Sequence, residues 1–261
     1  MTPILMLGNS HVACARLAWP GMRGDHSGID LTVFGAPMRA MGELVLDGST
    51  LRAGTPQSSS LLRRVSGDNH IDLSRFEIVA VVGMELSLAA AVRLFSAYRP
   101  WSAGAAGGGH LISEGAFHDA LVDAAAASDA LRLCGKIRHV YAGPLFVMPQ
   151  PNPLEGLLAS TEGKANAIGV GRWSSAARSW GPNLYAAFRA ACRDACAAHG
   201  ATFVAQPDDT LADGFFTRDE YRYHDPATKE DYAHMNISYG ERLCRLAAEF
   251  AADRPAALTY G

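Results

Sequence analysis

Apolar residues in this chain fall into two recurring patterns. The first is a short, nearly continuous run followed at once by a turn residue, as expected of strands buried on both faces. Pro3–Leu7 before Gly8, Leu31–Phe34 before Gly35-Ala36-Pro37, Phe76–Val82 before Gly83, His139–Val147 before Pro149 and Thr202–Val204 before Gln206-Pro207 all have this form. The second is the three-to-four-residue spacing of amphipathic helices. It covers Val12–Leu17, with an end expected near Pro20-Gly21, then Leu86–Tyr98 before Pro100, and Ala116–Leu133 with Ser113 placed to cap it. It returns in Leu184–His199, set between a capping Asn183 and Gly200, and in a closing run through Phe250. Strands alternating with helices imply βαβ crossovers and a parallel sheet.

Three stretches interrupt the alternation and read as excursions: a polar, Ser-rich segment near 48–70, a glycine-rich rim near 101–116, and a Pro-rich then variable stretch near 150–180. The glycine cluster lacks the Gly-Lys-Ser/Thr ending of a phosphate loop, so no nucleotide cofactor is expected. The 261 residues suffice for one sizeable core, and residues 1–261 are expected to form a single α/β domain. A net charge of -3 with no basic stripe argues against a nucleic-acid partner. Five cysteines, with no repeated short spacing, suggest neither a disulfide framework nor a metal site. No run approaches the roughly 20 apolar residues of a membrane span. Residues 3–15 also lack the basic flank of a signal peptide, so the chain is expected to be cytoplasmic.

Chemistry enters at the first strand end. Gly8-Asn9-Ser10-His11 puts a serine where a strand hands over to a helix, at the edge where open α/β sheets carry their sites. Near the other end, Asp231-Tyr232-Ala233-His234 places a carboxylate three residues before a histidine, able to fix its tautomer and leave one ring nitrogen for a serine. Together, Gly8-Asn9-Ser10 and Asp231-x-x-His234 before a terminal helix resemble the SGNH/GDSL hydrolase family across almost the whole chain. The resemblance implies a flavodoxin-like three-layer fold with a five-stranded parallel sheet of order 2-1-3-4-5. It also implies a serine esterase or deacylase working through an acyl-enzyme without cofactor or metal, on a small-molecule or glycan acyl ester. Ser10 would be nucleophile, His234 base and Asp231 its orienting carboxylate. The backbone N–H groups of Ser10 and Gly35 would serve the oxyanion, with Gly42 an alternative to Gly35. Asn9, His11, Glu85 and Asn236 are expected along the site wall.

The chain departs from the family pattern twice. Asn9 stands where aspartate is usual, and Gly83-Met84-Glu85-Leu86 stands where Gly-x-Asn-Asp is usual, so a carboxylate replaces an amide donor. Glu85 is therefore expected to turn from the Ser10 pocket or to be held by a donor. Three other readings follow from the residues. The same triad could serve an O-acyltransferase. The altered block would suit a non-catalytic binding protein on the same fold. His224, Asp225, Asp231 and His234 could serve a metal-dependent hydrolase.

Overall fold

The computed structural model describes residues 1–37, 39–104, 109–159, 169–224 and 231–252. Its central sheet has five parallel strands: β1 (Thr2–Gly8), β2 (Ile29–Gly35), β3 (Ile78–Val82), β4 (Leu145–Met148) and β5 (Thr202–Phe203). Their spatial order is β2-β1-β3-β4-β5, the flavodoxin-like arrangement. β1 and β3 are central, and Ile4–Leu7 and all of β3 are buried, which explains runs that show no period-two alternation. Register brings Gly8 level with Gly35 and with Val82, and Val82 level with Met148. The residues that follow these four therefore share one edge of the sheet.

Seven helices surround the sheet among the described residues: α1 (Ala13–Met22), α2 (Pro56–Ser66), α3 (Leu88–Ala97), α4 (Glu114–Ala126), α5 (Asp129–Arg138), α6 (Val170–Ala198) and α7 (Ile237–Ala252). The first and last helices pack against each other, while α6 packs on α3 and α4. Among the described residues, no helix is long and apolar enough to cross a membrane. All five cysteines are buried free thiols.

Several boundaries differ from the sequence reading. The first helix runs through Pro20 to Met22, because Trp19 and Met22 are buried and Arg23 N–H closes the last turn on Trp19 O at 3.0 Å. The helix expected over 116–133 is two helices. Ser113 does cap the first, but Ser128 breaks the run by accepting from Leu131 N–H at 3.3 Å. The fourth strand begins at Leu145 rather than His139, since α5 continues to Arg138. The Arg138 guanidinium then takes the carbonyls of Tyr141 (3.0 Å) and Gly143 (2.7 Å), which a strand would have offered to its neighbour. Asn183 caps nothing. It lies inside α6, which starts at Val170 and kinks at Trp180, just ahead of Pro182. Gly200 does end that helix in the left-handed region, with φ 64°. The 48–70 excursion belongs to a three-stranded antiparallel sheet (Leu44–Asp47, Thr50–Ala53, His70–Asp72) with α2 inserted before its last strand. Residues 105–108 and 160–168 of the other two excursions lie outside the described residues.

The two terminal helices meet at Gly240, where a Cβ would be driven into the Cys14 carbonyl. Gly240→Ala is expected to cost about 2–3 kcal/mol and lower Tm by roughly 5–10 °C. Gly21→Ala, on the same helix pair but with open space around it, should raise Tm slightly through the helix propensity of alanine. Thermal unfolding of the two variants checks the opposite signs.

Candidate active site

β1 ends in Gly8 because nothing larger fits: a Cβ there would lie 2.5 Å from both Val82 O and Val12 Cγ1. The chain then turns through Asn9 into a short 3-10 segment, Ser10–Val12, that leads into α1. The Asn9 side-chain oxygen accepts from His11 N–H at 3.3 Å and so caps this segment. Ser10 opens it, and its own N–H has no acceptor among the described residues, as the first residue of such a turn requires.

The loop before α7 arrives at the same place. Asp231 Oδ1 accepts from the backbone N–H groups of Ala233 and His234, both at 2.9 Å, which folds the loop into a tight turn. Asp231 Oδ2 lies 2.7 Å from His234 Nδ1, and His234 Nε2 lies 2.8 Å from Ser10 Oγ. Burial raises the affinity of Asp231 for a proton, but the three hydrogen bonds from His234 and Ala233 outweigh it and hold the carboxyl well below its usual range. An ionised Asp231 can only accept, so the ring proton sits on Nδ1 and Nε2 accepts from the Ser10 hydroxyl. The same bond to Asp231 raises the His234 pKa above its ordinary value against the opposing effect of burial.

His11 forms the floor under this pair. Its ring stacks on that of His234, with centroids 5.4 Å apart and planes 23° from parallel. Its Nδ1 is shut off from solvent and has no hydrogen-bond partner among the described residues. Burial foremost, then repulsion from His234, push its pKa down to about 3, so His11 is neutral at the pH where His234 titrates. The sequence placed His11 on the wall but offered no sign of this stacking, which depends on a residue more than two hundred positions away.

The other wall residues separate. Asn9 Oδ1 faces Gly83, where a Cβ would stand only 2.7 Å from it. Glu85 faces Arg39 in a long, exposed ion pair, its Oε1 3.8 Å from Arg39 Nε. It sits in a turn with φ 76° at Gly83, 52° at Met84 and 66° at Glu85, closed by Leu86 N–H on Gly83 O at 3.1 Å. Left-handed backbone at two residues with side chains is costly, and it is pinned by Ala130 N–H on Met84 O (3.0 Å) and Gln150 N–H on Leu86 O (2.8 Å). Asn236 has its amide engaged. Its side chain accepts from Tyr239 N–H at 3.2 Å and donates to Glu220 O at 2.7 Å, which commits it to the start of α7.

Gly35 also needs correction. Its N–H donates to Ser66 Oγ at 2.9 Å, and Ser66 Oγ returns a bond to Gly35 O at 2.7 Å. Arg16 adds bonds to Ser66 Oγ and Val33 O, both at 3.1 Å, so the end of β2 is tied to α2 and its donor is unavailable to an oxyanion. The alternative, Gly42, spends its N–H on Arg39 O at 2.9 Å. Ser66 was not singled out in the sequence, because a serine at the end of a polar helix carries no mark of the strand it will meet. Of the four residues considered for metal binding, Asp225 lies outside the described residues. Among the described residues no cluster of three or more His, Cys, Asp or Glu side chains is suited to a metal.

No family model matches the sequence, and no curated protein matches it. Solved structures similar to the chain include an extracellular lipase from Streptomyces rimosus, with 14% identity, TM-score 0.41, and 96% of this chain and 100% of that one covered. A DUF4886 family protein from Bacteroides uniformis has 11% identity and TM-score 0.38, covering 99% and 98%. A phospholipase A1 from Streptomyces albidoflavus has 14% identity and TM-score 0.39, covering 96% and 98%.

Removing the Asp231 charge leaves burial unopposed at His234. In Asp231→Asn the His234 pKa is therefore expected to fall below its ordinary value of about 6.5, from above it in the parent protein. Imidazole NMR titration of the two proteins reads this directly, and an unshifted His234 would overturn the assignment of the cause.

Proposed function

We propose that this protein is a serine-dependent hydrolase of a carboxylic acyl ester, of the SGNH type, with residues 1–261 acting as one catalytic unit in a reducing compartment. The observation that carries the reading is the unbroken hydrogen-bonded series Asp231–His234–Ser10, at 2.7 and 2.8 Å, set at the strand-end edge of the sheet. In the first step Ser10 Oγ attacks the acyl carbon while its proton passes to His234 Nε2. The tetrahedral oxyanion collapses, the alkoxide leaves with the proton from His234, and an acyl-serine remains. Water then attacks that ester, gives a proton to His234, and the carboxylic acid departs as Ser10 recovers its proton. Asp231 stays ionised throughout, keeping the imidazole oriented and stabilising the imidazolium that forms in each half-reaction.

The Ser10 N–H is the oxyanion donor this reading retains, with Gly35 and Gly42 committed elsewhere and a carboxylate in place of the family's asparagine. Each missing donor is worth about 3 kcal/mol of transition-state stabilisation, so turnover of unactivated esters is expected to be slow.

Ser10→Ala is expected to abolish hydrolysis of 4-nitrophenyl acetate and labelling by a fluorophosphonate, with Tm nearly unchanged. Full turnover by Ser10→Ala would sink the nucleophile assignment. The base must be neutral to act and its pKa is raised, so the acidic limb of kcat/KM should have its midpoint above about pH 6.5. In Asp231→Asn that midpoint should move to lower pH while the maximum falls, as a pH–rate series on both proteins would record.

A further inference from the structure

A polar cleft of about 530 Å³ opens beside the Ser10 loop, lined by Arg39, Glu85, Ser87, Arg93, Ser128 and Gln150 among others. Gly83 lies against both: a Cβ on it would stand 2.7 Å from Asn9 Oδ1, 3.2 Å from His11 Cδ2 and 3.4 Å from Gln150 Cγ, a lining residue of the cleft. The volume is within the range of small-molecule sites.

The lining groups differ in what they have left to offer a ligand. Ser87 and Ser128 are helix caps, accepting from Ala89 N–H (3.2 Å) and Leu131 N–H (3.3 Å). The Gln150 side-chain amide makes no hydrogen bond among the described residues. Arg93, exposed on α3, makes no ion pair among them. Arg39 has only its 3.8 Å pairing with Glu85, and its side chain is 85% exposed. A pair this long and this wet holds its partners weakly, so Arg39 can turn to a better acceptor. Arg132, which also feels Glu85, is already bonded to Asp129. Two guanidinium groups against one carboxylate leave the cleft with an unmatched positive charge, and guanidinium is the side chain best shaped to take carboxylate or phosphate through paired N–H groups.

We propose that this cleft is an oxyanion-binding subsite, in which Arg93 and Arg39 hold a carboxylate or phosphate group carried by the ester substrate. The assignment rests on the hydrolase reading and deepens it: the substrate is an anionic ester, and Glu85 is the weak partner that Arg39 exchanges for the substrate's anion. The strained turn at Met84 and Glu85 then has a use, since it is what aims the carboxylate at Arg39.

The test uses matched esters that differ by one charge. On the alcohol side, 4-acetoxybenzoate is compared with its methyl ester; on the acyl side, mono(4-nitrophenyl) glutarate is compared with its methyl ester, all at constant ionic strength. In at least one pair the kcat/KM ratio should favour the anion by about tenfold, the worth of one charge-assisted contact. Arg93→Gln should reduce that ratio by about tenfold, and Arg93→Lys should restore part of it. Ser10→Ala, titrated calorimetrically with inorganic phosphate and with benzoate, reports the cleft without any turnover. Saturation by phosphate alone, or by benzoate alone, names the group, provided Arg93→Gln added to that protein weakens it. Ratios near one in both pairs, or a preference indifferent to Arg93→Gln, or no saturation by either anion, overturns the proposal. Hydrolysis surviving in Ser10→Ala would instead defeat the assignment of Ser10 as nucleophile, and the anion titration would still judge the cleft.

Discussion

Three glycines hold the two ends of the chain together. Gly8 lets β1 close against Val82 and Val12, Gly35 lets β2 close against the Gly8 carbonyl, and Gly240 lets α7 lie directly on the Cys14 carbonyl of α1. At each, a single methyl group would meet backbone, which cannot rotate away as a side chain can. The first two determine how far the Ser10 turn projects beyond the sheet. The third determines where α7 begins, and hence where the preceding loop delivers His234. A hydrogen bond tolerates a few tenths of an ångström at each end, so a Ser10–His234 separation of 2.8 Å depends on all three contacts being this close.

Given that frame, the electrostatics of the site follow from which groups water can reach. Asp231 is partly sheltered, yet it receives three N–H groups, so its charge is satisfied without a cation. His234 is open on one edge and gains from Asp231 more than it loses by burial. His11 is sheltered and has no charged partner of its own, so it stays neutral and gives His234 a flat surface to rest on. Two imidazoles in contact thus have opposite tendencies: burial dominates at His11, and the bond from Asp231 dominates at His234.

The sequence showed most clearly the features that depend on local pattern. The buried runs of β1 and β3, the left-handed stop at Gly200 and the amphipathic last helix follow from periodicity and backbone preference. The Asp231-x-x-His234 spacing was legible because its hydrogen bonds close within one turn. Features imposed from a distance were not visible. The break at Ser128 costs little locally and is held by packing, with Ala130 and Leu131 fully buried. The false start of β4 at His139 arose because Arg138 takes the carbonyls of an apolar run that otherwise looks like strand. The Gly35 donor was misread because its fate depends on Ser66, thirty-one residues further along the chain and on another element.

Glu85 brings these strands of argument together. On propensity, Met84 and Glu85 should avoid positive φ, and on family pattern a carboxylate should avoid this position. The backbone conflict is offset by hydrogen bonds that arrive from α5 and from Gln150 and pin the turn on both sides of Glu85. The electrostatic conflict is settled by Arg39, which draws the carboxylate to the cleft. On the proposed function, a carboxylate where an amide donor was expected withholds stabilisation from the reacting carbonyl, where charge develops. The proposed subsite sets guanidinium groups in the neighbouring cleft, where they would meet charge already present on the substrate. Binding energy collected from such a remote group can be used to hold the ester against Ser10. In the proposed reading a depleted oxyanion hole and a cationic cleft, both lying against Gly83, fit one another as parts of a single active site.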